Sequence, residues 1–150
     1  MSNAAPVQSP LSLFMPLAST ADVPAVLQAL QANQEAFGQA LTSISTVHFA
    51  RFILITNNPA LGLPVGDNAT LALFTEYDGD FTTYVKDFVA KLGPIFGALL
   101  QFVADPPPLP VTDHPDEFVA WVQAHNPQPL TFYSAYPTLS VVDILGMSGT

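Results

Sequence analysis

A chain of 150 residues has the length of one domain and can bury about 68–70% of the surface its unfolded form exposes. Hydrophobic residues make up 49% and charged residues 10%, against a usual charged share of about 25%, so uncharged and apolar groups must cover much of the surface and self-association is favoured. Twelve acidic residues against three basic ones give a formal charge of −9. So few cations cannot neutralise a run of phosphates or hold an anionic membrane. The lack of cysteine removes disulfides, thiolate catalysis and Cys-ligated metals, and leaves the compartment open.

The N-terminus, MSNAAPVQSPL, lacks the basic region and the sustained apolar stretch of a signal peptide. Residues 1–10 are therefore expected to be a loose tail on a single domain over residues 11–150, in a soluble, cytoplasmic protein. LSLFMPL, residues 11–17, predicts a first strand with Pro16 at its end or at a bulge, since proline cannot donate to a ladder. Ser19-Thr20 offers an N-cap. From Val23, the residues Val26, Leu27, Leu30, Phe37, Leu41 and Ile44 recur at helical spacing, with Pro24 harmless in the first turn.

TVHFARFILIT, residues 46–56, predicts a second strand, and TLALFTEY, residues 70–77, a third. The thirteen turn-forming residues between them, NNPALGLPVGDNA, have the length of a functional loop or lid. Asp78-Gly79-Asp80 ends the third strand and caps a helix whose Phe81, Tyr84, Val85, Phe88, Val89 and Leu92 form one face. Gly93-Pro94 is expected to break it, with a second segment resuming at an angle over 94–103. The proline run 105–110 is an extended spacer, and PDEFVAWVQA, residues 115–124, a short helix with Pro115 near N1 and two acids favourable to its dipole. Leu130 to Tyr136 predicts a last strand, and LSVVDIL, residues 139–145, a strand or a short helix. The apolar stretch 92–104 is too short and too interrupted to span a bilayer.

The order β, α, β, β, α, α, β folds with right-handed crossovers as a split βαβ sandwich, an α+β ferredoxin-like fold with helices on one face of an antiparallel sheet. The second strand is apolar on both faces, so its far face needs cover. A second copy of the sheet supplies it, giving a homodimer with Phe52 and Leu54, or else Phe49 and Ile53, at its centre. HFARFILI and LALFTEYDGDFTTYV resemble members of the dimeric α+β barrel superfamily. That resemblance implies two ferredoxin-like subunits packed sheet to sheet, each with a cavity between sheet and helices. It also brings the activities known there, cofactor-free monooxygenases, isomerases and cyclases of aromatic compounds, with haem proteins such as chlorite dismutases and dye-decolorising peroxidases as the alternative.

Four polar residues are candidates for catalysis: Arg51, His48, Glu76 and Tyr77. Arg51 needs a carboxylate if half-buried, and pairing Ile55 with Ala72 would set it opposite Glu76, either as a structural ion pair or as an anion-orienting group. His48 reads as a hydrogen-bonded imidazole at a sheet edge, or as a general base or metal ligand. His114 reads as a turn residue, and His125 as a cation at a helix C-terminus. Scarcity of Lys and Arg counts against haem, whose propionates want cations, and no metal-site spacing occurs. The expected ligand is a small apolar or aromatic molecule bound without cofactor by an enzyme, or else by a non-catalytic binding or assembly module.

Overall fold

A computed structural model of the chain describes residues 6–56 and 69–147. It is a mixed α+β fold with a three-stranded antiparallel sheet and four α-helices: β1 (Gln8–Pro16), α1 (Val23–Ile44), β2 (Val47–Ile55), β3 (Thr70–Asp78), α2 (Phe81–Leu100), α3 (Pro115–Ala124) and α4 (Val141–Gly146). The strand order is β1-β3-β2. β3 is therefore antiparallel to both neighbours and fills the gap left by the β1–α1–β2 crossover. β1 starts at Gln8, inside the stretch expected as tail, and ends at Pro16 as proline chemistry requires. The connection expected as a lid lies, for residues 57–68, outside the described residues.

One face of the sheet carries the core. Leu11, Leu13 and Met15 of β1 and Leu71, Leu73, Thr75 and Tyr77 of β3 alternate onto it. Against them α2 lays Tyr84, Val85, Phe88, Leu92 and Phe96, all buried. Asp80 accepts the Thr83 N–H at 3.0 Å and so caps α2. An aromatic series continues the core outward: Phe37 meets Phe52 at 5.1 Å, Phe88 meets Phe96 at 5.1 Å, and Phe96 meets Phe118 of α3 at 6.0 Å. α1 is different, since Val26 is its one fully buried residue and the rest of its apolar stripe is half-covered.

Two expected features differ. α2 runs unbroken through Gly93-Pro94. Pro94 forfeits one helix hydrogen bond, at about 3 kcal/mol, but continuing the helix buries Phe96, Leu99 and Leu100, each contributing roughly 1.5–3 kcal/mol. Glycine at 93 serves packing instead: a Cβ there would lie 2.6 Å from Thr112 Cγ2, in the 3₁₀ turn Val111–Asp113.

The strand expected at Leu130–Tyr136 does not form. Its segment follows the outer edge of β1 in the antiparallel direction, where Phe14 N–H donates to His125 O, Ser12 N–H to Asn126 Oδ1 and Val7 N–H to Pro137 O. Pro127, Pro129 and Pro137 cannot donate to a ladder, and Leu130 and Tyr133 point into solvent. The edge is thus covered without a fourth strand. Residues 141–146 resolve the remaining ambiguity as a helix, fixed by a capping box in which Ser140 Oγ accepts from Asp143 N–H and Asp143 from Ser140 N–H.

Tyr84 titrates with the core. Burial pushes its hydroxyl up to about 12, against a smaller opposing effect of its hydrogen bond to Thr75 Oγ1 at 3.1 Å. The neutral form is favoured in the folded state, so this stability is complete below pH 10 and is lost as pH rises towards 12. Denaturation followed across that window should show a loss of roughly 2–3 kcal/mol that is absent in Tyr84→Phe. Equal alkaline losses in both proteins would refute this assignment.

Candidate functional site

The sheet and its edges distribute the four candidate residues rather than gathering them. Arg51 faces away from the helices, with Phe49 and Ile53 exposed beside it on β2. Its cross-strand neighbour is Phe74, with the guanidinium carbon 5.1 Å from the ring centroid, and Glu76 stands opposite Phe49. The register therefore differs by two residues from the expected one. A two-residue shift keeps every side chain on its face, so Arg51 and Glu76 do share a face, as diagonal neighbours. No ion pair joins them. A cation–π contact takes the place of the expected carboxylate.

Tyr77 is a core residue. Its ring stacks on Tyr84 at 4.2 Å and is 4% exposed. Burial raises its pKa, with a hydrogen bond to Ser9 opposing.

His48 sits at a bulge, where the β2–β3 register shifts between Val47 and Phe49. Bulges re-aim a side chain, and here the extra residue turns its imidazole towards the end of β3. His48 Nε2 lies 2.7 Å from Asp78 Oδ1, with the two side chains 5% and 10% exposed. The second oxygen of Asp78 accepts the Val141 N–H at 2.7 Å. Asp78 thus joins the end of β3, the start of β2 and the first turn of α4. An ionised carboxylate only accepts, so Nε2 donates to it, and in the neutral imidazole Nδ1 carries the lone pair.

Three cavities adjoin these residues. The first, of about 480 Å³, opens between α1 and the sheet and is lined by Leu30, Phe37, Leu41, Phe52, Ile95 and Leu99, with Asn33 and Gln34 among its polar groups and β2 bordering it at residues 50–52. It exists because α1 rests mainly on α2 and touches β2 lightly. The second, of about 310 Å³, lies between α1, α4 and His48. The third, of about 420 Å³, is lined by Gln8, His48, Phe49, Glu76 and the segment 131–136. Arg51 thus borders one cavity while its side chain lies on the opposite sheet face, His48 and Glu76 share another, and Tyr77 lines none of the three.

The other histidines are occupied locally. His125 Nδ1 donates to Trp121 O at 2.7 Å, at the end of α3, and its ring stacks on Trp121 at 4.3 Å. His114 Nδ1 is 4.0 Å from Glu117. Among the described residues no group of three or more His, Asp or Glu is placed to hold a metal ion, and no helix is long and apolar enough to cross a membrane. Comparison with known proteins brings no relative: no family model, no curated protein and no solved structure matches the chain.

Sequence reasoning missed two polar residues here. Asp78 read as a turn residue, and Gln8 as tail. Neither position carries a local signal, because each acquires its role from a segment more than 60 residues away.

Removing one partner of a buried charged hydrogen bond leaves the other uncompensated, at about 3–5 kcal/mol. Asp78→Ala should therefore lower stability by about 3 kcal/mol in urea denaturation, and Asp78→Asn by clearly less, because a carboxamide oxygen still accepts from Val141. Indistinguishable losses below about 0.5 kcal/mol in both would show that Asp78 is a surface residue in energetic terms.

Proposed function

We propose that this protein binds a small, flat, apolar molecule in the cavity between α1 and the sheet, as a two-fold dimer of ferredoxin-like subunits paired through their open sheet faces. The observation that carries the proposal is the cavity itself. At about 480 Å³ it falls in the range of about 300–1,000 Å³ common to small-molecule sites, and its apolar walls with few polar groups fit that pattern. The dimeric reading is supported by the strand order β1-β3-β2, by helices on one face alone, and by Phe49 and Ile53, 65% and 39% exposed, on the other.

On the enzyme reading, the reaction is of the cofactor-free monooxygenase, isomerase or cyclase type that the superfamily resemblance implies. A non-catalytic binding module is the second reading. It is favoured by one observation: Arg51, His48, Glu76 and Tyr77 do not converge on a common cavity.

Gly38 gives a clean test, because it lines the cavity, is exposed, and has no atom within 4 Å of where a Cβ would stand. Gly38→Leu should leave the fold intact, or gain helix propensity of up to about 1 kcal/mol, while filling part of the space. Titration with the neutral fluorophore N-phenyl-1-naphthylamine should show saturable binding to the unaltered protein and at least about tenfold weaker binding to Gly38→Leu, a change of about 1.4 kcal/mol. Absence of saturable binding, or equal affinity for both proteins, would remove the cavity as the site.

A further inference from the structure

The cleft of about 420 Å³ at the end of the sheet holds two features that packing alone does not require. Gln8 is 5% exposed, and its Nε2 donates to Tyr136 O at 3.0 Å and Leu139 O at 2.6 Å. Those two bonds fix the orientation of the amide. Its Oε1 is left buried with no hydrogen-bond partner, one of two such side-chain atoms among the described residues. A buried acceptor without a donor costs roughly 1–3 kcal/mol. A ligand donor that reached this oxygen would remove that cost.

The second feature is His48, in the wall of the same cleft. Asp78 engages Nε2, which leaves Nδ1 as the lone-pair nitrogen of the neutral ring, and Nδ1 makes no hydrogen bond among the described residues. The side chain is 5% exposed and lines the cleft. A carboxylate-oriented imidazole whose second nitrogen is unengaged in the wall of a cleft has the build of a general base. Glu76 adds a negative charge to the cleft, and Phe49 and Tyr136 add aromatic surface.

The geometry points to a proton-transfer site in this cleft for a small, neutral aromatic molecule that carries an N–H or O–H donor and an acidic C–H. Gln8 Oε1 accepts from the ligand donor, His48 Nδ1 takes the carbon-bound proton, and Asp78 is the positioning residue that holds the ring and stabilises the imidazolium. In the step, the C–H bond breaks, its electron pair passes into the neighbouring carbonyl as an enolate, and the proton rests on Nδ1 until it returns to carbon. No oxidant or cofactor enters the balance. The inference does not rest on ligand binding in the cavity between α1 and the sheet.

Oxindole has both groups on one flat bicyclic frame, an N–H and an acidic CH₂ next to its carbonyl. Exchange of that CH₂ for deuterium in D₂O, followed by proton NMR, should run at least about a hundredfold faster with the protein than with free imidazole at equal concentration. His48→Gln should abolish the gain. Asp78→Asn should reduce it about tenfold or more, although its carboxamide still accepts from Val141 N–H. N-methyloxindole, which lacks the donor for Gln8, should need about tenfold higher concentration for half-saturation, a readout on the unaltered protein that a purely structural His48–Asp78 pair would not produce. Exchange no faster than with imidazole, exchange retained in His48→Gln, or equal half-saturation by the two oxindoles would each overturn the proposal.

Discussion

β3 is the strand on which every other element depends, because it is hydrogen-bonded along both edges and carries the core on one face. Leu71, Ala72 and Leu73 are consecutive and fully buried, a pattern that suits a central strand and no edge strand. β1 and β2 each use one edge of β3 and leave their own outer edges to be managed. β1 solves this with the proline-rich segment 125–139, and β2 leaves its outer edge beside α1. The cavity of about 480 Å³ follows from that asymmetry. α2 seals the β1–β3 half of the core with a continuous apolar face, and α1 covers the β2 half with a stripe only half-buried.

The open face of the sheet carries the same constraint outward. Phe14 and Phe74 meet edge to face at 5.7 Å, Arg51 lies over Phe74, and Phe49 and Ile53 project beside them. A guanidinium over an aromatic ring is more easily buried than a lysine ammonium, being planar and weakly hydrated. A two-fold axis through this face would bring each Arg51 towards the second subunit, where Glu76 occupies the same face, and a self-complementary patch is what an isologous contact needs. The low charged share of the chain acts in the same direction, since charged groups are depleted at the core of interfaces.

Local chemistry made much of the fold legible in advance. The short helix at 115–124 forms over those same residues, because Pro115 at N1 and Asp116 and Glu117 in the first turn are signals carried within the helix itself. β2 and β3 lie within one residue of their expected limits, since both have strongly β-forming sequences bounded by turn residues. What failed was non-local. The β2–β3 register is not set by a tight turn, so the pairing of Arg51 could not be read from spacing. The expected strand at 130–136 had the right alternation but no apolar face to bury against. The roles of Gln8 and Asp78 arise from contacts 131 and 63 residues away along the chain. The four residues singled out for their chemistry fall into three different environments for the same reason.

The claim that the open sheet face is paired with a second copy is tested most directly by mass in solution. Light scattering at micromolar concentration should give about twice the 16.0 kDa chain mass, and Ile53→Asp, which places a charge at the centre of the exposed face, should return it to the single-chain value without unfolding the core. A mass of about 16.0 kDa for the unaltered protein would contradict the account.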